Sequence, residues 1–283
     1  MRNFQNDQAA GLRRIMSSPK PRVVSILSAG LEATLPRMMT NLAASIQTQG
    51  SQVLIMHASA YSRESQYALN KAASLYDICQ NNDSYQNKTA LQSAVKVSPY
   101  GFSLAKLMQK NQPAHLTSAH VVQTNEQHAN QLVKQLATQF DIVLVDASVN
   151  DAGKLALPIL NESEIIIQLS RKPESIKQAY ALIKLICNQL GRRSFGIIVD
   201  DANEEQAQVV FRNIAQVAKR YLQIELEFFG AIPTDEKLSL ATKLGRTVID
   251  AFPLAKASAA FTSIAKKLDV QLDHAAPFKQ AYR

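Results

Sequence analysis

Glycine is scarce in this chain, with 9 residues among 283, where an average usage of about 7% would give roughly 20. Glycine supplies the positive φ angles of tight hairpins and lets a backbone approach a bound phosphate. The scarcity therefore disfavours a hairpin-rich β protein and a phosphate site built on several glycines. Hydrophobic residues make up 46% and charged residues 19%, so the chain is globular, with one large α/β domain or two ordinary domains.

Cysteine is almost absent, and long hydrophobic runs are missing. Cys79 and Cys187 lie far apart and form no Cys-X-X-Cys pair, which excludes a disulfide framework and a cysteine metal site. No segment approaches the roughly 20 apolar residues of a membrane span. The apolar run 23–31 stops at Glu32 without a small-residue cleavage pattern, so we expect no signal peptide and a soluble, cytoplasmic protein.

The positive charge is concentrated at the amino terminus. The net charge is +8, and residues 1–22 contribute +4 through five basic residues against Asp7. Such a segment suits an acidic protein, a nucleic acid or an anionic membrane, or is simply solvated. Helical periodicity followed by a Ser-Ser-Pro-Lys-Pro breaker predicts an arm at 1–16, a linker at 17–21, a domain at 22–268 and a tail at 269–283.

From residue 22 onward, short apolar runs alternate with amphipathic helical segments. This alternation predicts a doubly wound, mostly parallel α/β sheet with helices on both faces. The predicted strands are Val23–Leu27, Val53–Met56, Ile142–Val145, Ile165–Leu169, Gly196–Val199 and Leu226–Phe229. The predicted core stripes of the helices are Met38, Met39, Leu42 and Ile46; Leu132, Val133 and Leu136; Ile176, Tyr180, Ile183 and Ile186; and Val209, Ile214, Val217 and Tyr221. The polar segment 60–125 is assigned no element.

Ligands of such sheets bind at the carboxyl ends of the strands, so the loop after the first strand is the first place to inspect. Ser28 to Pro36 and the following Asn41-Leu42-Ala43 resemble the start of the MinD/ParA group of P-loop ATPases. The group's pattern S-G-K-G-G-V-G-K-T, then N-L-A, lies on these positions without a gap. The resemblance implies a P-loop fold, with ATP and Mg²⁺ as ligands.

The phosphate-binding residues of that pattern are replaced in this chain. Leu35 stands at the lysine position and Pro36 at the hydroxyl position, while the additional loop lysine falls on Gly30. Glu32 adds a carboxylate that would repel phosphates. A proline still suits the first turn of a helix. We therefore expect the fold to be kept and Mg-ATP binding to be lost, which would make the chain a pseudo-ATPase with no catalytic residues of its own.

Two further loops match the group's nucleotide site in position but not in chemistry. His57 and Ser59 replace the two aspartates of the family's D-A-D strand end, and Asp146 keeps the second acidic position, whose aspartate helps to hold Mg²⁺ in the family. A single carboxylate without lysine, hydroxyl and glycines does not bind Mg-ATP usefully, so we expect a structural role for Asp146. His57 has no partner at ligand spacing, and no metal site is predicted.

Later segments indicate the branch of the group. Pro173 to Lys184 resembles the P-T-S-I-T-D-A-Y-A-L-I-K of the flagellar-number regulator FlhG (FleN, YlxH), with Gln178 in place of the aspartate. Residues 229–235 resemble that branch's L-G-x-I-P-x-D, and residues 252–253 and 261–268 continue the match. These positions mainly carry the fold, so they identify the branch rather than a site.

The arm carries the motif with the clearest functional meaning. Residues 7–13 reproduce the branch's D-Q-A-x-x-L-R, which in the family folds as a helix on FlhF, a signal-recognition-particle-type GTPase, and stimulates GTP hydrolysis. In a helix Gln8 and Leu12 share a face, and a glutamine can orient an attacking water. The resemblance assigns partner GTPase activation to Asp7, Gln8, Ala9, Leu12 and Arg13.

Several alternatives remain open from sequence. One is an ATPase with a rebuilt site, and another is a scaffold for flagellar switch proteins or a transcription regulator. A basic DNA-binding partition protein is less favoured, because the chain has no recognition-helix motif. Two aspartates and Pro277 interrupt the apolar face of the tail, so the family's membrane helix is not expected. Peripheral placement at the cell pole or the inner membrane face would then depend on partners.

Overall fold

The computed structural model describes residues 21–31, 33–61, 63–80, 88–107 and 119–273. The predicted arm with its 7–13 motif, Glu32, and the tail beyond residue 273 lie outside the described residues.

A single twisted sheet forms the centre of the described part of the chain. Its eight strands follow the order β3-β4-β2-β5-β1-β6-β7-β8, and all neighbours are parallel except β3, which is antiparallel to β4. The strands are β1 Arg22–Ser28, β2 Val53–His57, β3 Lys96–Val97, β4 Ser103–Lys106, β5 Ile142–Asp146, β6 Glu164–Ser170, β7 Phe195–Asp200 and β8 Leu226–Ile232.

Helices cover both faces of the sheet, each with its own hydrophobic core. The helices are α1 Leu35–Thr48, α2 Leu75–Gln80, α3 Lys88–Ser93, α4 Ala119–Ala137, α5 Pro173–Leu190, α6 Glu204–Leu222, α7 Glu236–Lys243, α8 Val248–Ala251 and α9 Lys256–Asp273, with a 3₁₀ turn at Pro158–Glu162. Helices α2 to α6 lie on one face, and α1, α7, α8 and α9 lie on the other. This is the predicted doubly wound architecture.

The six predicted strands are confirmed, because strands covered on both faces are apolar throughout and stand out in the sequence. Strands β3 and β4 were missed, since they are 2 and 4 residues long and lie in the polar middle of the chain.

The predicted core stripe of α6 is wrong. Val209, Val217 and Tyr221 are 48%, 38% and 65% exposed, and Ile214 is the one member of that stripe that is buried. The face that packs on the sheet consists of Ala207, Val210, Ile214 and Ala218. Small alanines let α6 lie close to β7 and β8. Alanine is only weakly hydrophobic, so the larger apolar residues on the exposed face dominated the sequence pattern and led to the wrong prediction.

The segments that resembled the flagellar branch have structural roles. Asp235 caps α7 by accepting a hydrogen bond from the Lys237 amide (2.8 Å), and its second oxygen accepts the Ala257 amide (3.0 Å). At Gly230 a β-carbon would lie 2.7 Å from the Ile264 side chain, so glycine allows α9 to approach β8. The interpretation of these segments as fold-bearing agrees with these contacts.

Strand β1 lies between β5 and β6. From β1 the chain crosses to β2 on one side, and it later continues through β6 on the other side. The strand order therefore reverses at β1, and the loop that follows β1 opens into the crevice where ligands of doubly wound sheets bind.

Two asparagines use the same arrangement to join a helix to a distant segment. On α1, the Asn41 side chain donates to the Arg37 carbonyl (2.7 Å) and accepts the Val248 amide (2.7 Å). On α4, the Asn130 side chain donates to the Glu126 carbonyl (2.9 Å) and accepts the Ile159 amide (3.0 Å). The asparagine of the N-L-A motif thus ties α1 to α8.

Asn41→Ala should destabilise the fold by about 1–3 kcal/mol, because it leaves the buried Val248 amide without an acceptor. Asn130→Ala is the matched control, and its cost should be smaller because Asn130 and Ile159 are only half-buried. Urea denaturation of both variants measures the difference, and equal costs would contradict this role of Asn41.

Candidate functional site

The loop after β1 uses its backbone amides within the protein. The Ala29 amide donates to the Gln168 carbonyl (2.8 Å), which extends the pairing of β1 with β6. The Leu31 amide donates to Ser28 Oγ (2.9 Å). The Thr34 and Leu35 amides both donate to the Leu31 carbonyl (2.9 and 3.1 Å). In a phosphate-binding loop such amides point at the ligand, so these four donors are not available for that purpose.

The beginning of α1 agrees with the sequence prediction. Leu35 is fully buried and Pro36 lies in the first turn, where its missing N–H costs nothing. Leu35 therefore belongs to the core beneath the loop, and the position that carries the family's lysine points no charge at the crevice.

Helix α5 closes the loop from the other side. Ser175 Oγ donates to the Ala29 carbonyl (2.6 Å) and accepts the Ser170 amide (2.9 Å). Gly30 has a φ of +74°, and a β-carbon there would lie 2.4 Å from Oε1 of Gln178. The Gln178 carboxamide thus packs directly on the glycine that remains in this loop.

A buried acidic group lies at the carboxyl end of β7. Ligands of parallel sheets bind at such strand ends, but the sequence predicted no site residue at this one. Asp200 Oδ2 accepts Gln168 Nε2 (2.9 Å) and faces Thr34 Oγ1 (3.4 Å), and its Oδ1 accepts the Asp201 amide (2.9 Å). Burial raises the pKa of Asp200, an effect that the charge of Arg37 and these hydrogen bonds partly oppose. Thr34 connects this group to the β1 loop.

Asp146, at the end of β5, is fully buried beneath the segment that follows β2. Its Oδ1 accepts a hydrogen bond from the Arg63 guanidinium. Its Oδ2 accepts the Tyr67 hydroxyl (3.0 Å) and lies 3.2 Å from His57 Nδ1. Burial, and then the charge of Asp146, raise the pKa of Tyr67 well above its usual value. The structure thus brings the predicted residues His57 and Asp146 together.

Ser59, the other predicted residue of this loop, is not part of the buried group. Its Oγ accepts the Tyr61 amide (3.2 Å) at the turn after β2. Sequence reasoning missed Arg63 and Tyr67, because they lie in the polar segment that carried no periodic signal. An arginine and a tyrosine shortly after an apolar strand were the available signal, and these residue types are common on protein surfaces.

The residues at these loops do not fit a magnesium ion with a nucleotide phosphate. Both oxygens of Asp146 already have protein partners, and the four loop amides at 29, 31, 34 and 35 have internal acceptors. Among the described residues, no three His, Cys, Asp or Glu side chains come together as a metal site.

Across the same part of the chain, no helix is long and apolar enough to cross a membrane.

Asp200→Asn should change the pH dependence of stability. Because the pKa of Asp200 is raised in the folded state, the folded protein binds this proton more tightly than the unfolded chain does. Stability contributed by this group is therefore lost as the pH rises from about 4, the unfolded value, through the folded pKa. Asparagine is neutral throughout, so the variant should gain stability relative to the wild type over this range.

Urea denaturation of both proteins at several pH values between 4 and 7 gives the difference in free energy of unfolding. Asp151→Asn, at an exposed position, controls for the loss of one acidic charge. A wild-type-to-variant difference at Asp200 that stays constant with pH would disprove the effect.

Comparison with known proteins gives one curated relative and several solved structures. The antiactivator FleN of Pseudomonas aeruginosa is 32% identical over 146 residues, which cover 50% of this chain and 52% of FleN. The match thus spans about half the length of this relative. No family model matches the sequence.

Three of the solved structures show the shared fold. The MinC:MinD complex of Aquifex aeolicus has a TM-score of 0.62 at 19% identity and covers 92% of this chain and 98% of that chain. A ParA family ATPase from Chlorobium tepidum has 0.62 at 20% identity, with 87% and 98% covered. MinD from Pyrococcus horikoshii, complexed with Mg-ADP, has 0.63 at 16% identity, with 88% and 96% covered.

These neighbours correct one prediction. The expectation that the chain is not an enzyme is wrong, because the solved structures that share its fold include a ParA family ATPase and the cell division ATPase MinD of Pyrococcus furiosus. The replaced loop residues had suggested otherwise, but they describe one site and do not decide the class of the protein. The chain is thus similar to FleN over about half of its length and has the fold of MinD and ParA ATPases, which supports the resemblance to the flagellar FlhG branch of that group.

Proposed function

We propose that this protein is a FlhG-like regulator of flagellar number or placement and that its arm activates an FlhF-like, signal-recognition-particle-type GTPase. The observation that carries the proposal is the Asp7–Arg13 motif in front of a domain related to FleN. The proposed place of action is the cytoplasm, with recruitment to the cell pole or the inner membrane face by partners.

The chemistry of the motif supports contact with a GTPase. In a helix Gln8 and Leu12 lie on one face, so an apolar side chain can seat the helix while the glutamine reaches a water molecule. Asp7 suits the positive beginning of the helix and Arg13 its negative end. Gly11 lowers helix propensity by about 1 kcal/mol, which suits a segment that becomes ordered on its partner.

The geometry of the domain supports an arm that works away from the nucleotide loops. Arg22 begins β1 at the amino-terminal edge of the sheet, opposite the loops at 29–34. There its Nε donates to Glu164 Oε1 (2.7 Å), and another guanidinium nitrogen donates to the Leu268 carbonyl. The arm is therefore joined to the domain next to a residue, Arg22, that is held by the sheet and α9. A partner bound to the arm does not have to touch the β1 loop.

A GTPase assay of the cognate FlhF-like protein tests the proposal. The intact chain and a peptide of residues 1–20 should both raise the rate of GTP hydrolysis, whereas the chain that begins at residue 21 should not. The shortened chain keeps Arg22 and its contacts, so its fold should be unchanged by circular dichroism. An unaltered GTPase rate with both the intact chain and the peptide would reject the proposal.

Gln8→Ala in the peptide should abolish the stimulation and retain part of the binding, because Leu12 and Arg13 remain. Gln5→Ala is the matched control, since it removes the same side chain outside the motif. Fluorescence anisotropy of labelled peptide measures binding, and single-turnover hydrolysis measures stimulation. Loss of both in parallel would show that Gln8 contributes to docking and not to the chemical step.

A second proposed function is supported by the relative's name. FleN is an antiactivator, a protein that opposes an activator, and a scaffold for a flagellar transcription regulator or switch protein would suit this chain too. Surface plasmon resonance with the purified activator separates the two functions. Binding that survives deletion of residues 1–20 supports a scaffold role of the domain, and binding that requires the arm argues against it.

We propose in addition that Mg-ATP is not a ligand of the β1 loop, supported by the internally bonded amides and by Gln178 against Gly30. The rival is an ATP site rebuilt on other residues. Mg-ATP at 100 times its dissociation constant would stabilise the protein by about 2.7 kcal/mol. Stabilisation at millimolar Mg-ATP that Asp146→Ala abolishes would establish the rebuilt site.

A further inference from the structure

In the MinD/ParA pattern that this chain resembles, the position of Asp146 carries an aspartate that helps to hold Mg²⁺. Here Arg63 forms an ion pair with the carboxylate of Asp146 at the end of β5. Both side chains are buried, at 3% and 0% exposure. The buried Nε of Arg63 has no acceptor among the described residues, so Asp146 is the partner that balances the charge of this guanidinium.

The second oxygen of the carboxylate is also engaged. Tyr67 donates its hydroxyl to Oδ2 and His57 approaches the same atom, so the ion pair sits within a closed set of protein contacts. A magnesium ion would have to coordinate these carboxylate oxygens directly, or its bound waters would have to donate hydrogen bonds to them. Three side chains of this protein already occupy them.

The ion pair holds a defined stretch of backbone, residues 63–69. The Gln66 and Tyr67 amides donate to the Arg63 carbonyl (2.9 and 3.3 Å), and the Leu69 amide donates to the Glu64 carbonyl (2.7 Å). Tyr67 and Leu69 are buried in the core on the α1 face of the sheet. On the outer side, the guanidinium carbon of Arg63 lies 5.0 Å from the ring centre of Tyr61.

We infer that Arg63 is a built-in cation that replaces a divalent metal ion at Asp146 and keeps the 63–69 turn closed over the end of β5 without any ligand. Burial of an ionised carboxylate is costly unless the charge is paired, and at Asp146 the chain supplies the positive partner from the segment after β2. The turn is therefore held by the protein's own charge and does not depend on Mg²⁺ or nucleotide. The inference concerns the metal position and is independent of the arm's action on a GTPase.

Hydrogen exchange at the amides of Gln66, Tyr67 and Leu69 tests the inference in the full-length protein. In the wild type, exchange at these amides should be the same in 10 mM MgCl₂, in MgCl₂ with ATP and in EDTA. Arg63→Met should increase exchange there at least tenfold, since Asp146 loses its counter-charge. Arg171→Met is the matched control, because Arg171 is an exposed arginine in the loop after β6, away from the 63–69 turn, and should leave these amides unchanged.

The double variant Arg63→Met/Asp146→Asn distinguishes a charge effect from lost packing. It removes both charges and keeps similar volumes, so exchange at the three amides should return toward the wild-type rate. Slower wild-type exchange with Mg²⁺ that Asp146→Asn removes would overturn the inference, as would unchanged exchange in Arg63→Met. If Arg63→Met alone does not fold, the inference is still tested by wild-type exchange with and without Mg²⁺ and by the double variant.

Discussion

Strand β1 pairs in parallel with β5 on one side and with β6 on the other, and the arrangement of the molecule follows from this pairing. Because the strands are parallel, the loops after β1, β2, β5, β6 and β7 all open at one edge. The chain reverses its order at β1, which creates the crevice there. The opposite edge is left for Arg22, where the arm joins the domain.

At the end of the sheet where these loops lie, groups of the loops are engaged by side chains of the protein itself. The Gln178 carboxamide packs against Gly30, Arg63 pairs with Asp146, and Gln168 bonds to Asp200. The two buried acids are balanced differently. Asp146 has an arginine in direct contact, whereas Asp200 has mainly neutral donors, and burial raises its pKa. Asp146 thus forms a buried ion pair, whereas protonation of Asp200 is expected to contribute to the pH dependence of stability.

The separation of the two edges gives the proposed function a physical basis. In the proposed function the domain is a stable body that presents the arm, and a partner bound to the arm does not have to touch the loops. The fold shared with MinD and ParA ATPases is compatible with this arrangement, since the fold and the chemistry of one loop are set by different residues.

The sequence by itself determined the architecture, because strands buried on both faces must be apolar and the helices between them must be amphipathic. It also located Gly30, Leu35, Pro36, His57 and Asp146 at the loop edge, since the carboxyl ends of parallel strands are readable from the strand positions. It misjudged α6, because alanines that pack closely carry little hydrophobic signal.

Only the tertiary structure decided what these loop residues contact. Arg63 and Asp146 are separated by 83 residues, and Gly30 and Gln178 lie on different elements, so no local pattern predicts either contact. A charged residue in a polar segment is by default solvated. Arg63 becomes the buried partner of Asp146 because the sheet brings β2 and β5 side by side and the segment after β2 folds over their ends.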